Sequence, residues 1–244
     1  MKQLANWLLE ANRAVVFTGA GMSTESGLPD FRSARQGMWR DKDPLQLAST
    51  RAMRENREDF AAFYRMRVKG LLACKPHRGH DILAKWERIG LLSGVITQNV
   101  DGFHQQAGSR RVAELHGSLR SLHCIRCAAS YPAERYLQPE GTVCDCGGFL
   151  RPAVVLFGES LPESALTQAE TMTAEADFFL VLGSSLQVSP ANWFPQDAKA
   201  RGAKLVIVNR EPTQLDHLAD LVIHGENIGD VLTKMDKEVA EISC

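Results

Sequence analysis

Six short apolar runs recur along this chain of 244 residues: Val15-Val16-Phe17, Val95-Ile96, Val112 to Leu115, Phe178 to Leu182, Leu205 to Val208 and Leu221 to Ile223. They do not alternate with polar residues, so both faces of each strand must be buried. Helical patterns separate them; in one, Ile82, Leu83 and Trp86 share a face. Continuous apolar strands alternating with helices predict an α/β fold, a parallel sheet with helices on both faces. Ligands of such sheets bind beyond the carboxyl ends of the strands. Informative residues should therefore follow each run.

Two segments interrupt the alternation. Residues 33–75 are charged and helical in pattern, and residues 120–150 carry Cys124-x-x-Cys127 and Cys144-x-Cys146 with short β-like pieces such as Ser121-Leu122-His123. The expected division is a sheet domain of 1–32, 76–119 and 151–244, with a helical insertion and a zinc-binding module forming a smaller domain. Four thiolates complete the tetrahedral shell of zinc and leave no open position for water or substrate. The metal is thus expected to be structural. Cys74 and Cys244 lie outside the pattern and read as ordinary thiols in a reducing, cytoplasmic setting.

Bulk properties exclude some classes. Net charge is −1, with no basic stripe, so nucleic acid is not an expected partner. No apolar stretch approaches the roughly 20 residues that span a bilayer, and the N-terminus lacks a signal-peptide core. A soluble monomer without targeting tails is the expectation.

The first run leads into Gly19-Ala20-Gly21-Met22-Ser23. A Gly-x-Gly turn after a first strand lets backbone amides approach a pyrophosphate. The third glycine of the dinucleotide fingerprint is absent, since Thr24 stands there, and a plain tight turn would explain this much. The following Gly27-Leu28-Pro29-Asp30-Phe31-Arg32 adds an acid, an aromatic and a base, which suit a lid over a ligand. The second run ends in Thr97-Gln98-Asn99-Val100-Asp101, a set able to hydrogen-bond sugar hydroxyls or an amide. Alone, a helix-capping turn explains it better. Glu114-Leu115-His116-Gly117 places a histidine at the same edge, where its ordinary pKa near 6.5 suits a general base. Gly183-Ser184-Ser185 and Asn209-Arg210-Glu211 end two later strands and suit phosphate and ribose.

Taken in order, GAGMSTESGLPDFR (19–32), TQNVD (97–101), ELHG (114–117), the four cysteines, RPAVVLFGE (151–159), GSSLQVSP (183–190) and VNRE (208–211) resemble the sirtuin family of NAD-dependent protein deacylases over nearly the whole chain. The one-residue spacer in the second cysteine pair is the main departure. The resemblance implies a Rossmann-like NAD domain beside a zinc module, with acyl-lysine protein substrates entering the cleft between them. It implies NAD contacts from Gly19, Ala20, Gly21, Ser23, Asp30, Phe31 and Arg32. Further contacts are Gln98, Asn99 and Asp101 at the nicotinamide and its ribose, Gly183, Ser184 and Ser185 at the phosphates, and Asn209, Arg210, Glu211 and Ile228 around the adenosine. His116 and Asn99 are the implied catalytic residues. By the same resemblance, the acyl oxygen attacks C1′ of the nicotinamide ribose as nicotinamide leaves. His116 then helps deprotonate a ribose hydroxyl, and free lysine and O-acyl-ADP-ribose result. Val155, Phe157, Gly158 and Glu159 lie in a stretch expected to pair with the substrate as an added strand.

Ala48, Tyr64 and Arg67 stand where sirtuins that remove succinyl, malonyl or glutaryl groups carry the same residue types. Tyr64 and Arg67, three apart on a predicted helix, share a face, and a guanidinium forks onto a carboxylate. A helix with a solvated Arg and a half-buried Tyr explains the pair equally, so acidic acyl removal stands open beside deacetylation. Two rivals share parts of the pattern. A mono-ADP-ribosyltransferase would use the same site, and a zinc-ribbon binding module would leave GAGMS, QNVD and HG without a purpose.

Overall fold

The computed structural model describes residues 1–30 and 43–243; Phe31, Arg32 and Cys244 lie outside them. All six apolar runs form strands of one sheet: β1 (Ala14–Thr18), β2 (Gly94–Thr97), β3 (Val112–Glu114), β7 (Phe178–Leu182), β8 (Lys204–Asn209) and β9 (Leu221–His224). Their order is β3-β2-β1-β7-β8-β9, and every neighbouring pair is parallel. This is the strand order of a dinucleotide-binding fold, whose direction reverses between its first and fourth strands. That switch point lies between β1 and β7.

The period of two explains why these runs had to be apolar throughout. Val16, Leu180 and Val206 face one side and pack with Leu4 and Leu8 of α1 (Lys2–Glu10), Ile82 and Trp86 of α5 (Arg78–Arg88), and Leu232 and Met235 of α9 (Ile228–Ile242). Their sequence neighbours Val15, Phe179 and Ile207 face the other side, against Ala169 and Met172 of α7 (Glu163–Glu175) and Ala198 of α8 (Trp193–Ala200). A polar residue at either parity needs a buried partner, as at the strand ends where the Thr18 hydroxyl donates to Thr97 Oγ1 at 2.7 Å.

The smaller half joins two insertions. Helices α2 (Pro44–Leu47), α3 (Thr50–Glu55) and α4 (Arg57–Leu72) come from the first. The second supplies an antiparallel sheet ordered β5-β4-β6, from β4 (Gly117–Cys124), β5 (Ser130–Pro132) and β6 (Leu150–Val154). Phe60, Tyr64 and Val68 of α4 share a buried cluster with Leu119, Leu122, Tyr136, Val154 and Leu156. The small sheet reaches past 120–150 on both sides, because β4 and β6 pair from Gly117 with Val154 to Cys124 with Leu150. Between β2 and β3 lies α6 (Phe103–Ala107). No helix among the described residues is long and apolar enough to cross a membrane.

Candidate active site

Strand ends at the switch point bring two glycine turns into contact. The Gly19 N–H donates to the Leu182 carbonyl, and the Gly21 N–H donates to the Gly183 carbonyl at 2.9 Å. Gly183 has φ +64, and a Cβ there would lie 2.4 Å from the Met22 nitrogen. Only glycine permits this approach. After Gly19 the chain forms a short 3₁₀ helix, Ala20–Ser26.

Beyond these ends a cleft of about 620 Å³ separates the two halves. It is lined by Ala20, Gly21, Asp30, Gln98, Asn99 and His116 from the first three strand ends and the loop after β1. Gly183, Ser184, Ser185, Asn209, Arg210, Glu211 and Ile228 line it from the other side of the sheet. Ala48, Tyr64, Arg67, Val155, Phe157, Gly158 and Glu159 complete the wall formed by the smaller half. Ser23 and Asp101 instead line an adjoining cavity of about 210 Å³, with Ala20, Arg67, Asn99 and Val100 shared between the two. Gly19 lines neither; its place is the glycine contact beneath the floor.

Hydrogen bonds lock the polar loops together. The Asn99 amide donates to Ser23 Oγ at 3.2 Å, and the Ser23 hydroxyl donates to Asp101 Oδ2 at 2.7 Å. The Phe103 N–H donates to Asp101 Oδ1 at 2.9 Å. Burial pushes the Asp101 carboxyl up, against these two donors and the charges of Arg120 and Arg67. Ser184 donates to Gln98 Oε1 at 2.7 Å, joining the second strand end to the fourth. His116 Nδ1 lies 3.0 Å from the Gln98 carbonyl. A carbonyl only accepts, so Nδ1 carries the proton and Nε2 is the basic nitrogen of the neutral ring.

The wall opposite is built by an ion pair. Arg151, 5% exposed, grips Glu159 with both terminal nitrogens, and Glu159 Oε2 also accepts the Leu156 N–H at 2.8 Å. Burial alone would raise the Glu159 carboxyl, but the Arg151 bonds, the amide and the cation hold it below its ordinary range. The loop they brace is tied to the helical insertion. The Val155 N–H donates to the His116 carbonyl, the Phe157 N–H to Ala48, and the Thr50 N–H to Phe157. Ala48 is thus fixed against the loop by backbone bonds, a link absent from the sequence expectation of helix alone in that segment. Tyr64 is buried and hydrogen-bonded to Arg67, whose carbon Cζ lies 5.7 Å from the Tyr64 ring centroid. Burial raises the Tyr64 hydroxyl and lowers the Arg67 guanidinium.

The four thiols converge as expected. The sulfurs of Cys124, Cys127, Cys144 and Cys146 all lie within 4.8 Å of one another. Zinc–sulfur bonds of about 2.3 Å in a tetrahedron place sulfurs about 3.8 Å apart, so the quartet fits zinc. Cys124 ends β4, seven residues along the strand from Gly117, which follows His116. A strand of that length spans about 23 Å at about 3.3 Å per residue, which keeps the metal away from the cleft.

Residues 19–190, more than half of the chain, match the family model described as Sir2 family. The chain belongs to the Sir2 family. It is 58% identical over 239 residues to "NAD-dependent protein deacetylase 1" of Geobacillus kaustophilus, covering 98% of both proteins. It is 43% identical to "NAD-dependent protein deacylase 2" of Archaeoglobus fulgidus, covering 99% of this chain and 97% of that one. A solved Sir2–p53 peptide–NAD+ complex superposes with TM-score 0.89 at 36% identity, covering 99% of each chain. A Sir2 complex with deacetylated p53 peptide and 3′-O-acetyl-ADP-ribose gives 0.90 at 37% identity, covering 98% of each.

Other lining residues of this sirtuin cleft escaped the sequence reading. Thr24 and Glu25, Gln187 to Pro190, and Glu226 with Asn227 also line it. Glu25 accepts the Gly229 N–H at 2.8 Å and so caps α9. GAGMSTESGLPDFR and GSSLQVSP marked the first two groups as motifs without identifying these residues as ones that reach the cleft. Nothing in the local sequence around Glu226 signalled its approach.

Proposed function

We propose that this sirtuin is an NAD-dependent protein lysine deacylase, with NAD as co-substrate and a structural zinc in the smaller half. The single observation that carries the reading is the convergence of His116, Gln98 and Asn99 with the 155–159 wall on one cleft. Nucleotide and acyl-lysine would enter from opposite halves and meet there. The close-packed glycine turns would let the backbone approach the phosphates, their own Gly19, Gly21 and Gly183 amides being bonded within the chain. Ser23, Asn99 and Asp101 form one bonded unit at the nicotinamide side. His116, with its proton fixed on Nδ1 by Gln98, presents Nε2 as the base for a ribose hydroxyl. Since the Val155 and Phe157 N–H groups are already bonded within the chain, an incoming strand would pair through Gly158 and the 187–190 segment.

Acyl preference follows from the third wall. Ala48 leaves room, and the hydroxyl of Tyr64 and the guanidinium of Arg67 present two donors to the same space. Together they support removal of dicarboxylic acyl groups beside acetyl. A panel of acetyl-, malonyl- and succinyl-lysine peptides with NAD tests both levels. The expected products are nicotinamide and O-acyl-ADP-ribose; ADP-ribosylated protein in their place would favour the transferase reading. Arg67→Met is expected to lower kcat/KM for the succinyl peptide at least tenfold and for the acetyl peptide by less than threefold, the loss of about one charge-assisted fork. No succinyl removal by the wild type would end the acidic-acyl reading and leave deacetylation standing.

A further inference from the structure

Given that activity, we infer that Arg120 is a positioning residue for the nicotinamide end of the NAD site. It stands on β4, between Gly117 beside His116 and the zinc ligand Cys124. Its Nε donates to the Asp101 carbonyl at 2.6 Å and its Nη2 to Gln106 Oε1 at 2.8 Å. The guanidinium carbon lies 5.6 Å from the Phe103 ring centroid. The Leu119 N–H donates to the Val100 carbonyl at 2.7 Å. Two successive residues of β4 therefore hold two successive carbonyls of the TQNVD loop.

The second grip matters because of the turn it holds. Gly102 has φ +67, and a Cβ at that position would lie 2.7 Å from Arg120 Cδ and Nε. Arg120 thus fills the space beneath a left-handed turn and anchors it to α6 through Gln106. Asp101 precedes that turn, and its carboxylate fixes Ser23, which receives the Asn99 amide. Rotation of the Asp101 peptide would move all three groups that line the smaller cavity. Arg120 itself lines neither cavity. It acts through Asp101, and it makes the small sheet part of the nucleotide site's scaffold.

The test separates the two substrates. Arg120→Leu is expected to raise KM for NAD about tenfold and to weaken inhibition by free nicotinamide to a similar degree. KM for the acyl peptide should stay within twofold and zinc at one per chain. Arg120→Lys keeps a donor for Asp101 but not the fork to Gln106, and should recover most of the loss. Unchanged NAD KM in Arg120→Leu overturns the assignment, as does an equal loss for both substrates with zinc released. If Arg120→Leu fails to fold, Arg120→Lys decides: a few-fold rise in NAD KM at full zinc content supports the role, and a wild-type value overturns it. Calorimetric binding of NAD to wild type and variant keeps this apart from the proposed activity. A wild type that binds NAD yet deacylates nothing removes the activity, while weaker NAD binding by the variant still supports Arg120.

Discussion

Strands β1 and β7 of the large sheet are buried at every position, whereas β4 of the small sheet buries three of its eight residues and β5 none fully. The large half is held by apolar area on two faces, a diffuse device that no single residue controls. The small half adds point devices to its apolar cluster around α4: four thiolates, the Arg151–Glu159 pair, and Arg65 donating to the Tyr136 carbonyl at 2.9 Å. A cleft between halves of such different construction should fail in different ways under different stresses. That asymmetry can be broken experimentally.

Metal removal should have the largest effect. Structural zinc contributes on the order of 10 kcal/mol to small modules at neutral pH. A chelator, or Cys124→Ala, is expected to abolish deacylation while, in a Trp39→Phe background, the fluorescence of the remaining Trp7, Trp86 and Trp193, which belong to the large half, stays native. Apo-protein that remains active, or loss of both halves in one transition, would contradict the division. Next in size is His116→Ala. It should lower kcat by about 10²–10⁴-fold with zinc content and melting temperature unchanged, because His116 sits in the seam and supports neither core. Single-turnover assays at saturating NAD and peptide measure it.

Acid should reverse the order of failure. His80 and His104 are buried in the large half, with ring centroids 5.0 Å apart, and Thr18 Oγ1 lies 3.0 Å from His104 Nε2. Burial, then the neighbouring histidines, lowers His80 to about 2 and His104 to about 3. Depressed histidines bind protons only when unfolded, so stability is present above the unfolded value of 6.5 and falls as pH drops below it. Two such groups cost about 3 kcal/mol between pH 6.5 and about 5. Glu159, Asp177, Asp216 and Asp220, held below their ordinary range, contribute losses only at lower pH. Asp101 and Glu114, raised by burial, oppose the trend. Denaturant titrations followed by tryptophan fluorescence should show this slope, and His80→Gln with His104→Gln should flatten it. A pH-independent midpoint would exclude these histidines as the cause.

The same asymmetry governed what could be read in advance. All six apolar runs became strands of the parallel sheet because burial on both faces writes itself into the inner strands, while the edge strands β3 and β9, with one buried position and none, kept enough apolar residues to show. The residues after them could be located because the strand ends dictate where the cleft lies. The small half was legible in its cysteines, in the helical pattern of its first insertion and in the β-like piece at Ser121-Leu122-His123, but not in its limits. Its sheet limits depend on pairing between segments some thirty residues apart, which no local pattern encodes. Glu159, expected at the substrate wall, lines the cleft, and its carboxylate also grips Arg151, a second role that its motif does not signal. Opposite charges eight residues apart are too common to signal a pair. Arg120 carried no mark at all, since its partners lie on another loop and another helix.

The double role of Glu159, in the cleft wall and in the ion pair, makes the smallest prediction the sharpest. Glu159→Gln keeps shape and one acceptor but leaves Arg151, 5% exposed, without its counter-charge. If the pair only stabilises the small half, the change should lower stability by about 2 kcal/mol and alter kinetics little. The geometry argues for more. Glu159 also receives the Leu156 N–H, and Leu156 lies between Val155, bonded to the His116 carbonyl, and Phe157, bonded to Ala48. Loosening the pair therefore frees the wall proposed to face the acyl-lysine while the glycine turns and the Ser23–Asn99–Asp101 unit stay in place. KM for the acyl peptide should rise several-fold with KM for NAD unchanged, the mirror image of the Arg120 variant. Equal changes in both constants would mean that the two walls of the cleft are not independently supported, and the contrast between the halves would lose its functional meaning.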